Sequence, residues 1–310
     1  MIIGVGCIAS DQILVTNAKW KDEKGKIIRR ENRFGGNVRN SLVALSALGM
    51  KTAYVGTMSG QPRWKSAIDD FVENGVSTEF VDFDDKSHPA EATIVLTGDG
   101  ERFIVYNDEP LHHIKLPSAA KVAQAISLAQ LLMVDAGICP PGTLDVIKKC
   151  SELKIPVVLD AEQFFVEKSL LLEMISFASD PILPLNFAKA VTGKEDAAEV
   201  VNWLWNQRRN AVVITDGANG CYFQIKGESK VQHINAYVIE AIDTNGTGDI
   251  FHGAYAYGIL KGMDPIERLR FASAAAASVA VLPHGADRRP NLKSIEEFMS
   301  QHPALVVSGL

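Results

Sequence analysis

Apolar and polar positions along the 310-residue chain change period in an ordered way. Short runs rich in aliphatic and β-branched residues fall at 2–5, 52–55, 131–135, 156–160 and 211–215, each the length of a buried strand. Between them the period lengthens. Over 38–48, Val38, Leu42, Leu45 and Leu48 share one stripe, and Gly49 follows as a stop signal. Residues 144–153 and 197–207 repeat the order of amphipathic helix followed by apolar strand. Strands and helices that alternate at this spacing predict an α/β fold, a mainly parallel central sheet with helices on both faces.

Two regions break the alternation. Residues 12–18 with 27–33, and 91–97 with 102–107, read as strand pairs, the second joined by the turn sequence Gly98-Asp99-Gly100. Both excursions leave the main sheet and return to it. The expectation is therefore one domain over 1–310, with a small β-sheet lid from about 12–33 and 91–107 above the carboxyl edge of the main sheet. Such strands expose edges that a second copy could cover, which predicts a homodimer. The charges crowded into 19–33 read as a solvated edge of this sheet.

Hydrophobic residues make up 47% of the chain and charged residues 22%, the mix of a soluble globular protein. Lys plus Arg is 31 against 37 Asp plus Glu, a net charge of −6, so no global field draws in a polyphosphate backbone and nucleic acid is not an expected partner. The longest apolar run, 271–282, falls short of the roughly 18 residues a membrane span needs. The start, MIIGVGCIAS, lacks a basic leader and reads as a first strand. Cys7, Cys139, Cys150 and Cys221 form no CxxC pair, which fits a reducing cytoplasm, and the histidines show no zinc spacing, so no resident metal is expected.

The most informative segment is Asp243-Thr244-Asn245-Gly246-Thr247-Gly248-Asp249, a glycine-rich turn feeding an apolar helix. Gly246 and Gly248 permit positive φ and close approach, so successive N–H groups from 245 to 249 can converge on an anion at the helix N-terminus. Asp249 stands beside that spot, where a carboxylate can take a proton from a substrate hydroxyl while the amides stabilise a transferring phosphoryl group. The alternative is an acidic first-turn residue that favours the helix dipole, with glycines that only make a turn. An EF-hand would need Glu where Ala254 stands, and the Gly-Lys-Ser/Thr of a P-loop is absent.

Other segments are less specific. Gly35-Gly36-Asn37-Val38-Arg39-Asn40-Ser41 precedes the helix ending at Gly49; Asn37 and Asn40, one turn apart, can offer amides to a polyol, or the segment is an ordinary loop with an Asn cap. Gly4-Val5-Gly6-Cys7-Ile8-Ala9 matches GxGxxA, but the extended run after it lacks the helix a dinucleotide site needs. Thr215-Asp216-Gly217-Ala218-Asn219-Gly220 follows a strand, and its glycines can be hairpin residues or part of a nucleotide site.

DTNGTGDIFHG closely resembles the second signature of the ribokinase-like (PfkB) sugar kinase family, DTxGAGDxFxxG, with Thr247 where alanine is usual, and GGNVRNS resembles the first signature. The resemblance implies a three-layer αβα sandwich and ATP-dependent phosphorylation of a sugar hydroxyl. Asp249 would be the catalytic base, and Asn245, Gly246, Thr247 and Gly248 would form the anion hole. Asp11, Gly36, Asn37 and Asn40 would hold the sugar. GGNVRNS, Gly56-Thr57-Met58-Ser59-Gly60 and Gly100-Glu101-Arg102-Phe103-Ile104-Val105 look like the ketohexokinase branch. That comparison implies a second sugar-binding aspartate at Asp22, supplied through the lid, a phosphate contact at Arg102, and a ketohexose such as fructose as substrate. Ribose, 2-keto-3-deoxygluconate or a nucleoside are the alternatives within the family. A sugar- or nucleotide-binding sensor without catalysis is the alternative from another class, against which Asp249 argues. Thr215, Gly217 and Gly220 resemble a turn near ATP, and Gly285 and Ala286 a purine-side loop. The family's Asn-x-x-Glu motif is incomplete at Pro184-Leu185-Asn186-Phe187, so Mg2+ is expected to arrive with ATP. A monovalent cation such as K+ near the anion hole is also usual in the family.

Overall fold

In chain order the strands are β1 (Ile2–Val5), β2 (Ala9–Thr16), β3 (Ile27–Gly35), β4 (Thr52–Met58), β5 (Val76–Phe83), β6 (Ala90–Leu96), β7 (Arg102–Asn107), β8 (Leu131–Asp135), β9 (Val157–Asp160), β10 (Asp180–Pro184), β11 (Ala211–Thr215), β12 (Cys221–Ile225), β13 (Gln232–Ile234) and β14 (Val307–Gly309). They belong to a computed structural model that describes residues 1–99, 101–283 and 286–309. β1, β8 and β9 are buried on both faces, as their uninterrupted apolar runs require of strands in a covered parallel sheet. The main sheet has ten strands in the order β14-β13-β12-β11-β10-β9-β8-β1-β4-β5. From β11 to β5 every pairing is parallel, and β12 to β14 add antiparallel strands to one edge.

Alternation of side chains splits the core into two halves. Ile2, Leu131 and Met133 face one side with the helices Asn37–Ala47, Thr247–Leu260 and Pro265–Ala280, whereas Ile3, Leu132 and Val134 face the other with Thr143–Glu152, Lys168–Phe177 and Ala197–Leu204. This is the expected three-layer α/β architecture. Pro156 stands before β9 because it has no N–H for the ladder. β10 went unread because prolines at 181 and 184 disguise a buried strand.

The small sheet has the order β3-β2-β6-β7. Each expected strand pair forms an antiparallel ladder, and β2 joins β6 in parallel. The first pair begins three residues earlier in sequence than read, with Ala9 opposite Gly35, which brings its base to the Gly35-Gly36 turn. All four cysteines are buried and unpaired. Among the described residues no helix is long and apolar enough to cross a membrane.

Candidate active site

The carboxyl ends of the parallel strands carry the candidate groups, and glycines set how closely the covering helices approach. A Cβ on Gly4 would lie 2.7 Å from Leu42 Cδ1 and from Val38 Cγ1, and one on Gly6 would lie 2.8 Å from Val38 Cγ2. The GVGCIA glycines thus serve the seating of helix Asn37–Ala47 on β1, and β2 rather than a helix follows them. Gly36 has φ +101°, and a Cβ there would meet Cys7 O at 2.6 Å, so only glycine fits. The turn is thereby pinned to the end of β1, and Asn37 opens the helix.

Helix Thr247–Leu260 lies against that helix. A Cβ on Gly253 would meet Ser41 O at 2.9 Å, which measures how near the two backbones come. Asn40 Nδ2 donates to Asp249 Oδ2 at 2.7 Å, and Ser41 Oγ donates to Asp249 O at 3.0 Å. Arg39, held by Asp70 at 2.9 and 2.7 Å, donates to Asn40 Oδ1 at 3.1 Å and so fixes which end of the amide faces Asp249. The two motifs, distant in sequence, meet at one helix mouth.

Gly246 caps the helix with φ +69°. The Asn245 N–H turns inward to Asp243 Oδ1 at 2.9 Å, and Thr247 N–H points to Thr244 O at 3.3 Å. Among the described residues the N–H groups of Gly246, Gly248 and Asp249 have no acceptor, so the outward-facing donors are these three and not the whole run from 245.

Three further acids gather here. Asp135 ends β8, Asp160 ends β9, and Glu162 follows. Asn37 Nδ2 donates to Asp160 Oδ2 at 3.0 Å and to Glu162 Oε1 at 3.4 Å. His252, buried one turn beyond Gly248, places Nδ1 2.7 Å from Gly248 O and Nε2 3.0 Å from Ile182 O and 3.4 Å from Asp160 Oδ1. Burial, then the neighbouring Asp160 charge, pushes the Asp249 carboxyl up to about 8 against the opposing hydrogen bond from Asn40. Burial and the Glu162 charge likewise raise Asp160, and burial followed by Asp160 raises Asp135. A carboxylate held near neutrality is suited to accept a hydroxyl proton. Sequence reading passed over Asp135, Asp160 and Glu162. Their signal was the acid closing each of two apolar strand runs, at the sheet edge where α/β proteins build their sites.

Asp11 lies at the base of the small sheet, its Oδ2 filling the space a Cβ on Gly35 would take, and burial raises its pKa against Arg33 and Arg39. Asp22 is not brought to this cluster. It is exposed in the turn beyond Thr16 and Ile27, accepts Lys19 N–H at 2.9 Å, and stands roughly 20 Å along the strand from Asp11. Arg102 pairs with Leu96 at that same far end, and its side chain lies outside the described residues. Thr215 ends β11 at the carboxyl edge, two strands and about 10 Å from β9. Gly217 and Gly220 make the turn into β12, and a Cβ on Gly220 would collide with Ile234 O, which gives that glycine a structural reason of its own. Ala286 N–H donates to Pro283 O at 3.1 Å, and Gly285 lies outside the described residues.

Comparison with known proteins agrees with this fold. Ribokinase of Haemophilus influenzae is 23% identical over 303 residues, 95% of this chain and 97% of that protein. Probable fructokinase-5 of Arabidopsis thaliana is 26% identical over 303 residues, 84% of this chain and 88% of that one. The structure of Arabidopsis thaliana ribokinase complexed with ribose and ATP shares the fold at a TM-score of 0.79, with 20% identity across 96% of this chain and 97% of that one. A model of the pfkB family carbohydrate kinases matches residues 2–291. A match of that extent, on a chain whose two motifs converge on one carboxylate, means that this protein belongs to the pfkB family of carbohydrate kinases.

Proposed function

We propose that this carbohydrate kinase moves the γ-phosphoryl group of ATP to a primary hydroxyl of a small sugar, a ketohexose such as fructose being the first choice. The observation that supports the reading is the 2.7 Å bond from Asn40 to Asp249, which joins the two motifs at one carboxylate. The sugar hydroxyl gives its proton to Asp249 as its oxygen attacks the γ-phosphorus, and the bond to the ADP oxygen breaks. The N–H groups of Gly246, Gly248 and Asp249, with the helix N-terminus behind them, receive the charge on the transferring group. Asp11, Gly36, Asn37 and Asn40 orient the sugar. ATP enters as its magnesium complex and lies towards Thr215, Gly217, Gly220, Asn245 and Ala286.

The small sheet acts as the lid in this reading and excludes water from the transfer. Asp22 and Arg102 take part only if its far end moves over the site. Ile28, Phe103, Val105 and Tyr106 are 65%, 47%, 52% and 62% exposed on the two edge strands of the same sheet, and such uncovered apolar edges support pairing with a second copy.

A ribose substrate is the second reading, favoured by the ribokinase relative that aligns along 95% of the chain. The test is sugar-dependent ADP release by the purified protein with fructose, ribose, 2-keto-3-deoxygluconate and nucleosides. Fructose turning over with the highest kcat/KM supports the first reading and ribose the second. ATP and sugar binding without turnover of any would replace both with a sensor.

A further inference from the structure

We infer that Arg288 is a tethered cation that shapes the phosphate-receiving loop from behind, so that this kinase works without a monovalent metal ion beneath that loop. The inference rests on the kinase reading of Asp249 and its neighbouring amides. Arg288 Nη2 donates to Asp243 O and to Asn245 O, each at 2.9 Å, and Nη1 lies 3.1 Å from Asp243 Oδ2. Both members of the ion pair are largely buried, with side-chain exposures of 16% and 10%.

Peptide geometry links this contact to the other side of the loop. In a trans peptide the C=O and N–H point in opposite directions. The carbonyl of Asn245 shares its peptide with the N–H of Gly246, one of the three outward-facing donors. A positive charge on that carbonyl therefore aims and polarises the Gly246 N–H towards the incoming anion. The contacts of Arg288 are to the loop itself, so it acts through the Gly246 peptide and is a positioning residue. Its guanidinium stays protonated at any working pH, and its planar fork sets Nη2 on the two carbonyls while Nη1 lies against the Asp243 carboxylate, a spread that one ammonium nitrogen cannot match.

The monovalent cation that the family resemblance implies does not fit here. Such an ion is held by oxygens, and Asp243 O, Asn245 O and Asp243 Oδ2 already face the guanidinium. A second cation among them would also stand against a like charge. Glu31 and Arg33 act on Arg288 from the small sheet, and with Asp243 they are, among the described residues, the charged groups that bear on it.

The experiment compares initial rates at saturating sugar and MgATP in choline chloride and in KCl at equal ionic strength. The wild-type rate is expected to agree within about twofold. Arg288→Ala is expected to lose about 100-fold in kcat in choline, the scale of one lost oxyanion donor, and to regain part of it with millimolar guanidinium or with K+. A wild-type rate that rises tenfold with K+ would overturn the inference. So would a folded Arg288→Ala that keeps its rate in choline or answers to no added cation. If the alanine variant does not fold, Arg288→Lys replaces it, and a rate in choline equal to wild type for that variant counts against the forked contact. MgADP affinity measured by calorimetry in both salts needs no sugar. Unchanged wild-type affinity supports the inference and a tenfold gain with K+ refutes it, even if no sugar turns over.

Discussion

The helix mouth and the small sheet are built to opposite specifications. At the mouth, two helices touch through Gly253 and Ser41, the base is hydrogen-bonded by Asn40, and that amide is held in turn by Arg39 and Asp70. On the small sheet, Val105 and Tyr106 are more than half exposed, and the far turn carries Asp22 in open solvent. Proton transfer needs reacting atoms fixed to fractions of an ångström, whereas admission of a sugar and exclusion of water need a part that can shift. In the proposed reading the first task falls to buried helices and the second to the more exposed small sheet.

Changes at the mouth should therefore cost turnover, and changes on the sheet should alter access and association. The largest effect is expected for Asp249→Asn, which removes the proton acceptor and should lower kcat by about 1,000-fold or more. Sugar affinity measured by calorimetry should stay near wild type, and a variant with full turnover would remove Asp249 from the chemistry. Asn40→Ala comes next, at roughly 10- to 100-fold in kcat/KM, because both a sugar contact and the anchor of the base are lost. Since the Asn40 bond favours the ionised carboxylate, its loss should also move the rising limb of the pH–rate profile to higher pH.

Asp160→Asn should act in the opposite direction. Its negative charge helps hold the Asp249 carboxyl up near 8, so the neutral variant should reach half-maximal rate at lower pH than wild type. Stability offers a second readout. Buried acids with raised pKa values bind protons in the folded state that the unfolded chain has already released, so folding weakens as pH rises from the ordinary carboxylate range through the folded value. Asp160→Asn should lessen that loss, and its Tm should exceed that of wild type above pH 8 but not at pH 5. The smallest catalytic effect belongs to the sheet: Val105→Glu, on a half-exposed residue, should leave kcat within a few-fold while sedimentation shows the proposed pairing of two copies weakened relative to wild type. Loss of turnover as deep as that of Asp249→Asn would erase the contrast between the two regions.

Much of the mouth was legible in the sequence because its residues obey local rules. Gly246 and Asp249 mark a helix start, and Asn37 and Asn40 are one turn apart whatever the tertiary fold. What local rules could not supply was which groups already have partners. The Asn245 N–H looks like one more donor to the anion until Asp243 is seen to accept it. Asp160 looks like the end of a strand until β8, β9 and helix Thr247–Leu260 converge and its buried carboxyl comes to bear on Asp249. Asp22 shows the converse: resemblance gives it a role in the sugar site, and only the fold shows that it sits in the exposed far turn of the small sheet.

The contact between Asn40 and Asp249 spans 209 positions of the chain. On the ribosome, β1 and the first helix emerge long before the segment that completes the mouth, and loop closure over such a separation is slow. A nascent or truncated product ending before that helix would carry the amides proposed to face the sugar but neither the proposed base nor the proposed cradle for phosphate. On the proposed mechanism it could not hydrolyse ATP idly during synthesis, because the two motifs meet only when about the last fifth of the polypeptide arrives.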